Sequence, residues 1–485
     1  MPSATKALLG LALLSLCAGC SEGTVSGPPT MEKPTDPWAE DEDGGPYPDD
    51  IGPEDFPLPL EDAGPKSPDP PEPWPEDAGD PPDPPAPPPE DGGDPPPLPE
   101  VDAGAPLPEV DAGTQQPLVD AGTATPPTTS LPALLPRFSA VFSRRPSDNS
   151  PDPAIEDLLL ALIDRAVPGS RIRLAVYHFT RGRVTAALRR AYQRGVDVRV
   201  LLDGQVRALL DDPDNGSDAT EASALILALG RSRVTLCRAP GSACLGTGIM
   251  HHKTFLFSDV GGGSRNVVVQ ASHNLTTGQN HRHNNAVVIR GDSALFAAYE
   301  RTFEEQRRDV VQLDYYRASA GNFPTRAYFF PRPSGDTAVS VIDNVSCADS
   351  GRIRVAMAFF TNARLEVARA LARRQRAGCS VEAVIGDDTI RVGRTVLRTL
   401  RDAGVRVTLY PRRAGTWGLH SKYLLIDARY NGSTAARRLV FTGSHNWTGA
   451  ALRENDETML RVDDRGVFDA FLADWVHVRD AARRR

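Results

Sequence analysis

The sequence predicts an α/β protein of two related lobes, each a mixed, mostly parallel sheet flanked by helices, behind a long amino-terminal segment that lacks a core. Three observations carry this. The string Arg171-Ile172-Arg173-Leu174-Ala175-Val176-Tyr177-His178-Phe179-Thr180 recurs as Arg352-Ile353-Arg354-Val355-Ala356-Met357-Ala358-Phe359-Phe360-Thr361, identical at six of ten positions. Each copy is followed by a helical pattern and then a second apolar run. Each half closes on aromatics at i, i+3 and i+7: Phe296, Tyr299 and Phe303, then Phe468, Phe471 and Trp475.

The two strings read as buried strands. After the first, Val184, Ala187, Leu188 and Ala191 fall on one helix face, and the second copy runs from residue 365 to about 376. Gly195 and Gly378 end these helices, and the β-rich runs 196–202 and 379–385 follow. Strand, helix and strand in this order make parallel neighbours. Further on, each half has a hairpin-like strand pair, then a helix whose aromatics form a core stripe. The lobes are expected at 136–315 and 316–485, related by a pseudo-twofold axis, and each is long enough to bury a substantial core.

The amino terminus is different material. Residues 1–19 carry Lys6, a short apolar run and small residues ahead of Cys20, the pattern of a secretory signal peptide. Its end, Leu16-Cys17-Ala18-Gly19-Cys20, resembles a bacterial lipobox, which implies cleavage before Cys20, lipidation of its thiol and an exported, membrane-anchored protein. Cys17 stands where that motif usually has leucine, and ordinary cleavage would instead release a secreted product. Residues 20–135 are dominated by Pro, Asp, Glu, Gly and Ala, too poor in apolar surface to offset chain entropy, and are expected to be a disordered acidic tether. No run approaches the length of a membrane-spanning helix.

Charge is just as uneven. Residues 21–135 hold 27 acidic and 2 basic side chains, so a chain of net −9 conceals a carboxyl-terminal region of +15. Such an excess favours polyanions: nucleic acid, anionic lipid surfaces or phosphorylated substrates. Beyond Cys20 the cysteines are Cys237, Cys244, Cys347 and Cys379. An even number in an exported chain suggests two disulfides, Cys237 with Cys244 and Cys347 with Cys379, the alternative being free buried thiols.

The chemistry-bearing motifs also come twice. The second half reads His420-Ser421-Lys422, Asp427 five residues on, then Gly443-Ser444-His445-Asn446; the first reads His251-His252-Lys253, then Ala271-Ser272-His273-Asn274. In a strand, residues i and i+2 share a face, so each His and Lys can converge on one phosphate. Both halves resemble the phospholipase D superfamily signature HxKxxxxD followed by GSxN, over essentially all of 136–485. The first copy departs from it, with Ser258 at the aspartate position and Ala271 for glycine.

The resemblance implies one phosphodiesterase site from both copies, working through a covalent phosphohistidine without a metal or other cofactor. His251 and His420 are then the nucleophile and the proton donor. Lys253, Lys422, Asn274 and Asn446 bind phosphate oxygens, with Ser272 and Ser444 close by. Asp427 and Glu457 are expected to support His420; the first-half position matching Glu457 is Asn284, which makes His251 the neutral nucleophile. His281 and His283 form an HxH with no obvious further ligand, which reads as a polar site rim. His273 and His445 should face away from the site, and His178 and His477 read as structural. The substrate stays open: phospholipid, hydrolysed or transferred to another alcohol, fits export and a basic face, and nucleic acid fits the charge. An inactive binding module would have lost a His or Lys from one copy. With both motifs in one chain, a monomer suffices.

Overall fold

The computed structural model describes residues 131–206, 217–238, 241–319, 324–387, 392–411 and 417–484. The expected signal peptide, Cys20 and nearly all of the expected tether lie outside the described residues. The packed chain begins ahead of the expected boundary at 135: Leu131 packs against the first core, and Leu135 is buried with its N–H on Ser264 Oγ at 3.0 Å.

The first lobe contains strands β1 (Phe138–Ser143), β2 (Arg171–Val176), β3 (Asp197–Leu202), β4 (Val234–Leu236), β5 (Lys253–Asp259), β6 (Arg265–Ala271) and β7 (Arg282–Arg290). Its helices are α1 (Ala154–Arg165), α2 (Gly182–Gln193), α3 (Ser217–Leu229) and α4 (Ser293–Gln306). The second lobe has β8 (Arg317–Ala318), β9 (Thr325–Phe330), β10 (Val345–Ser346), β11 (Arg352–Met357), β12 (Ser380–Asp387), β13 (Arg406–Pro411), β14 (Gly418–Leu419), β15 (Lys422–Tyr430), β16 (Ala436–Gly443) and β17 (Glu457–Asp463). Its helices are α5 (Thr337–Asp343), α6 (Leu365–Arg376), α7 (Arg394–Asp402), α8 (Gly449–Arg453) and α9 (Arg465–Arg483).

The repeat survives as topology. The first sheet runs β1-β7-β6-β5-β2-β3-β4 and the second β13-β12-β11-β15-β16-β17-β9-β8, the same order read in reverse with β8 added at the edge. Both sheets are mixed: along their main paths the parallel pairs are β2-β3-β4 and β11-β12-β13, and the short β14 adds a parallel pairing with β7. The motif-bearing hairpins β5–β6 and β15–β16 add antiparallel neighbours, so the sheets are less parallel than the βαβ pattern suggested. Gly195 and Gly378 end α2 and the second-copy helix α6 with φ of 89° and 97°, where a side chain would be strained.

Each lobe has its own core, and a third apolar cluster joins them. Phe296 and Tyr299 of α4 and the stripe of α9 fill this joint: Phe142 meets Phe471 edge-on at 4.9 Å and Tyr299 meets Phe329 at 5.0 Å, while within the second lobe the Trp475 indole donates to Val355 O at 2.9 Å. Full burial of each such ring contributes roughly 2–3 kcal/mol, so the lobes are held as one platform. Cys237 is bonded to Cys244 and Cys347 to Cys379, the pairing expected from the sequence.

Candidate active site

Strand register brings the two motifs to the same end of the lobes. Lys253 opens β5 opposite Val176, the last residue of β2, and Lys422 opens β15 opposite Met357, the last of β11. The residues just ahead of each lysine then cross to the other lobe. β14 runs parallel to the start of β7, and the His420 N–H reaches His283 O at 3.0 Å. Reciprocally, Met250 bridges Asp456 and the His251 N–H reaches Asp456 O at 3.0 Å.

This crossing decides which group supports which histidine. His251 Nδ1 lies 2.8 Å from Glu457 Oε1, and the Ser444 hydroxyl donates to Glu457 Oε2. His420 Nδ1 lies 2.9 Å from Asn284 Oδ1, to which Ser272 Oγ donates at 2.9 Å. Each histidine is therefore completed by the opposite lobe, one by a carboxylate and the other by an amide. Glu457 stands on His251 and not, as the sequence suggested, on His420, because the start of β17 is in register with the segment before His251. The match of Asn284 to Glu457 appears as equivalent positions in the two crossings.

The lysines are turned inward. Lys253 Nζ donates to His251 O and Lys422 Nζ to His420 O, each at 2.6 Å. Burial lowers Lys253 to about 7, against the pull of Glu457 and Asp203. Burial and then the Lys253 charge hold Lys422 well below its ordinary range. The same causes act on the imidazoles: burial brings His251 to about 4 despite Glu457, and burial with Lys422, Arg282 and Lys253 pushes His420 well down. Glu457 itself would be raised by burial, but His251 and Lys253 outweigh that and bring it to about 2. So many cations around two imidazoles resist each other's protonation, and an anion placed among them relieves the strain. Asn274 and Asn446 are buried with Oδ1 lacking a hydrogen-bond partner among the described residues.

Other expected residues fall elsewhere. Asp427 lies toward the far end of β15, 3.9 Å from Arg438, and so does not reach His420. Ser258, at the matching position, accepts from Arg171 N. Ser272 and Ser444 hold the supporting amide and carboxylate in place. His283 is buried with Nε2 2.9 Å from the Tyr410 hydroxyl and its ring against Trp417 and His477, so it belongs to the packing between lobes and not to a polar rim. His281 lies near Trp417, and the His178 ring packs at a tilt against Tyr177. His273 and His445 are buried, against Asn280 and Phe330. Among the described residues the one cluster with metal-ligand spacing is Cys237, Cys244 and Asp309, whose thiols are in the disulfide.

Three neighbours of the site escaped sequence reasoning. The Tyr177 ring meets His251 edge-on at 5.2 Å and lies 5.2 Å from Lys253 Nζ. Arg282 adds a third cation beside His420. Asp456 accepts from the N–H groups of Cys244 (2.9 Å) and Gly246 (2.8 Å) and from Gln306 (3.1 Å), pinning the loop ahead of His251. The available signal was asymmetry: the repeat puts Ala358 opposite Tyr177.

The buried groups predict acid lability. The imidazoles of His251, His252, His273 and His445 sit at about 4, 3, 4 and 3, chiefly through burial, and His420 is also low. Each therefore contributes stability that is complete above the unfolded value near 6.5 and is lost as pH falls toward the folded value. Asp456 and Asp474, raised by burial to about 6, act in the opposite sense below that pH. Unfolding near pH 5 should take up protons net, five buried imidazoles acting against two carboxyls, so stability should fall on acidification. Denaturant unfolding followed from about pH 6.5 to 5 will measure it; a flat profile would contradict the burial of neutral imidazoles.

A two-lobed α/β fold with paired His and Lys at the crossing of the lobes defines a class of phosphodiester-processing proteins. The sequence profile described as the phospholipase D-like domain of cardiolipin synthase matches residues 159–307 and 341–476, and the chain belongs to this phospholipase D-like family, whose members hydrolyse or transfer phosphodiesters. Among solved structures, phosphatidylserine synthase of Haemophilus influenzae is similar at 15% identity, covering 70% of this chain and 86% of that one, TM-score 0.49. Polyphosphate kinase of Porphyromonas gingivalis gives 17%, 71%, 50% and 0.47, so the chain spans half the length of that protein. Nuc, a phospholipase D family member of Salmonella typhimurium, gives 21%, 32%, 94% and 0.26. No curated protein sequence matches the chain.

Proposed function

We propose that the chain cleaves phosphodiesters, phospholipids first, through a phosphohistidine on His251. The observation that carries this reading is the unequal support of the two histidines. A proton held on Nδ1 by Glu457 leaves the Nε2 lone pair of His251 to attack phosphorus. When that bond forms the imidazole becomes a buried cation, and Glu457 stabilises it at the moment the charge appears. His420 leans on a neutral amide, so its imidazolium stays a strong acid. The phosphate anion offsets the surrounding cations, so His420 takes up a second proton on Nε2 as the diester binds and gives that proton to the leaving alcohol as the phosphorus–oxygen bond breaks. Neutral His420 then takes a proton from water, or from a second alcohol, whose oxygen displaces Nε2 from phosphorus. Lys253, Lys422, Asn274, Asn446 and Arg282 receive the non-bridging oxygens.

A pocket lined by Arg282, Phe359, Asp387, Tyr410 and His420 opens beside the proposed proton donor. A carboxylate beside two rings suits an ammonium-bearing headgroup, which supports phospholipid as the substrate. The +15 charge outside the tether favours nucleic acid as the second reading. Export, anchoring through Cys20 and monomeric action complete the proposal. Phosphatidylcholine vesicles and DNA offered separately in excess chelator will decide. Release of choline with chelator present is the expected result; cleavage of DNA alone establishes the second reading, and loss of both activities, restored by zinc or calcium, removes the proposed site.

A further inference from the structure

The outer edge of the first sheet carries a feature the reaction does not use. β4 pairs only with β3 among the described residues, and beside it a groove is lined by Arg231, Arg238, Arg307 and Arg308, with Val234 and Leu236 in its floor. Arg307 is paired with Glu304, whereas Arg231, Arg238 and Arg308 are exposed and make no ion pair with any described residue. Among the described residues the one carboxylate in the lining, Asp309, accepts from the Arg238 N–H. Three unpaired guanidinium groups around one concavity form a site for phosphate-bearing anions.

What surrounds the groove narrows the ligand. The three most exposed large apolar side chains among the described residues are Leu227 at 90%, Leu313 at 61% and Val310 at 57%. Leu227 adjoins Ile226 and Val310 adjoins Val311, both lining residues, and Leu313 is two positions further on. Among the described residues no aromatic side chain lines the groove, so they offer no platform on which bases could stack. Arginines interleaved with protruding aliphatic side chains match an anionic bilayer, with headgroups on the guanidinium groups and aliphatic tips at the acyl boundary.

Position adds a reason. β2, β3 and β4 are parallel, so Arg238, two residues past β4, lies at the same sheet end as Tyr177, whose ring touches His251. Two strand spacings, about 10 Å, separate β4 from β2. We propose that this groove docks the protein on anionic phospholipid surfaces and turns the candidate active site toward the bilayer. The choice of a bilayer rests on the phospholipid reading; the anion site itself does not.

The test uses the full chain with Cys20→Ser in every arm, so that an acyl chain contributes nothing, and vesicles of phosphatidylcholine with or without about one-third phosphatidylglycerol. Arg231→Glu, Arg238→Glu and Arg308→Glu together should weaken binding to the anionic vesicles by at least ~100-fold and flatten its salt dependence. Leu227→Ser, Val310→Ser and Leu313→Ser together should weaken it without changing the salt slope. Turnover of a soluble short-chain phospholipid should be unchanged in both, which also shows that the variants fold. Unaltered vesicle binding overturns the proposal, as does a charge-reversal effect seen only on a single-stranded oligonucleotide. Absence of phospholipid turnover in every arm, with vesicle binding still lost on charge reversal, would remove the phospholipase reading and leave the groove standing.

Discussion

A His420→Ala enzyme given a p-nitrophenyl phosphodiester will accumulate a phosphoryl group on Nε2 of His251, and a His251→Ala enzyme will trap none. The first variant keeps the nucleophile with its carboxylate, and nitrophenolate leaves without a proton, so the covalent step survives. Its second step does not, because no base remains to activate water. With an ordinary alcohol as leaving group the same variant should lose about 10²- to 10⁴-fold in turnover, the usual contribution of a positioned acid. His251→Ala should lose about 10⁴-fold or more with either substrate, since no other imidazole stands in its place. Acid-quench trapping followed by peptide mapping reads the site directly, and a phosphoryl group found on His420 reverses the assignment.

Glu457→Gln should slow formation of the covalent adduct by about 10²- to 10³-fold while leaving ground-state binding nearly intact. The amide keeps the volume and can still hold a hydrogen bond to His251 Nδ1, now 2.8 Å from a carboxylate oxygen. It no longer offers a negative charge to the cation that forms on attack. The complementary change, Asn284→Asp, puts a charge 2.9 Å from His420 Nδ1. It should raise the His420 pKa and carry the basic limb of the pH–rate profile upward by a unit or more. Pre-steady-state bursts across pH separate the two effects. If Glu457→Gln changed KM alone, the carboxylate would be a scaffold and the proposed role would fail.

Much of the fold was legible because its repeat is written in buried positions. The strand strings, the helix of Val184 and Leu188, the glycines at 195 and 378 and the aromatic stripes each follow from a period or a local backbone need, and all appear where those needs place them. The site was legible only as far as side-chain alternation reaches. It put His and Lys of each motif on one face, but the support of each histidine comes from the other lobe, 206 residues away for Glu457 and 136 for Asn284. No local pattern encodes such a crossing, so Glu457 was placed beside the histidine nearer in sequence. Asp427 was misplaced for a related reason: motif spacing gives its position along β15, whereas a strand of nine residues carries it away from the lysine that opens it. The start of packed structure came out late because Leu131 and Leu135 are isolated apolar residues in a proline-rich context.

The reciprocal completion of the two histidines also bears on direction. In a pair of identical halves, exact twofold symmetry would give both imidazoles the same partner, and a bound diester could be attacked from either side with equal ease. Joining the halves in one chain lets position 457 and position 284 diverge, and here they have diverged to a carboxylate and an amide. The cleft thereby acquires a polarity: one wall takes the phosphoryl group and the other releases the alcohol. A lobe expressed by itself would hold its own histidine and the wrong partner for it. Paired with a second copy of itself, the first lobe would set two imidazoles against two asparagines, and the second would set them against two glutamates. Neither arrangement distinguishes attack from departure, so the polarity belongs to the fused chain and to neither half.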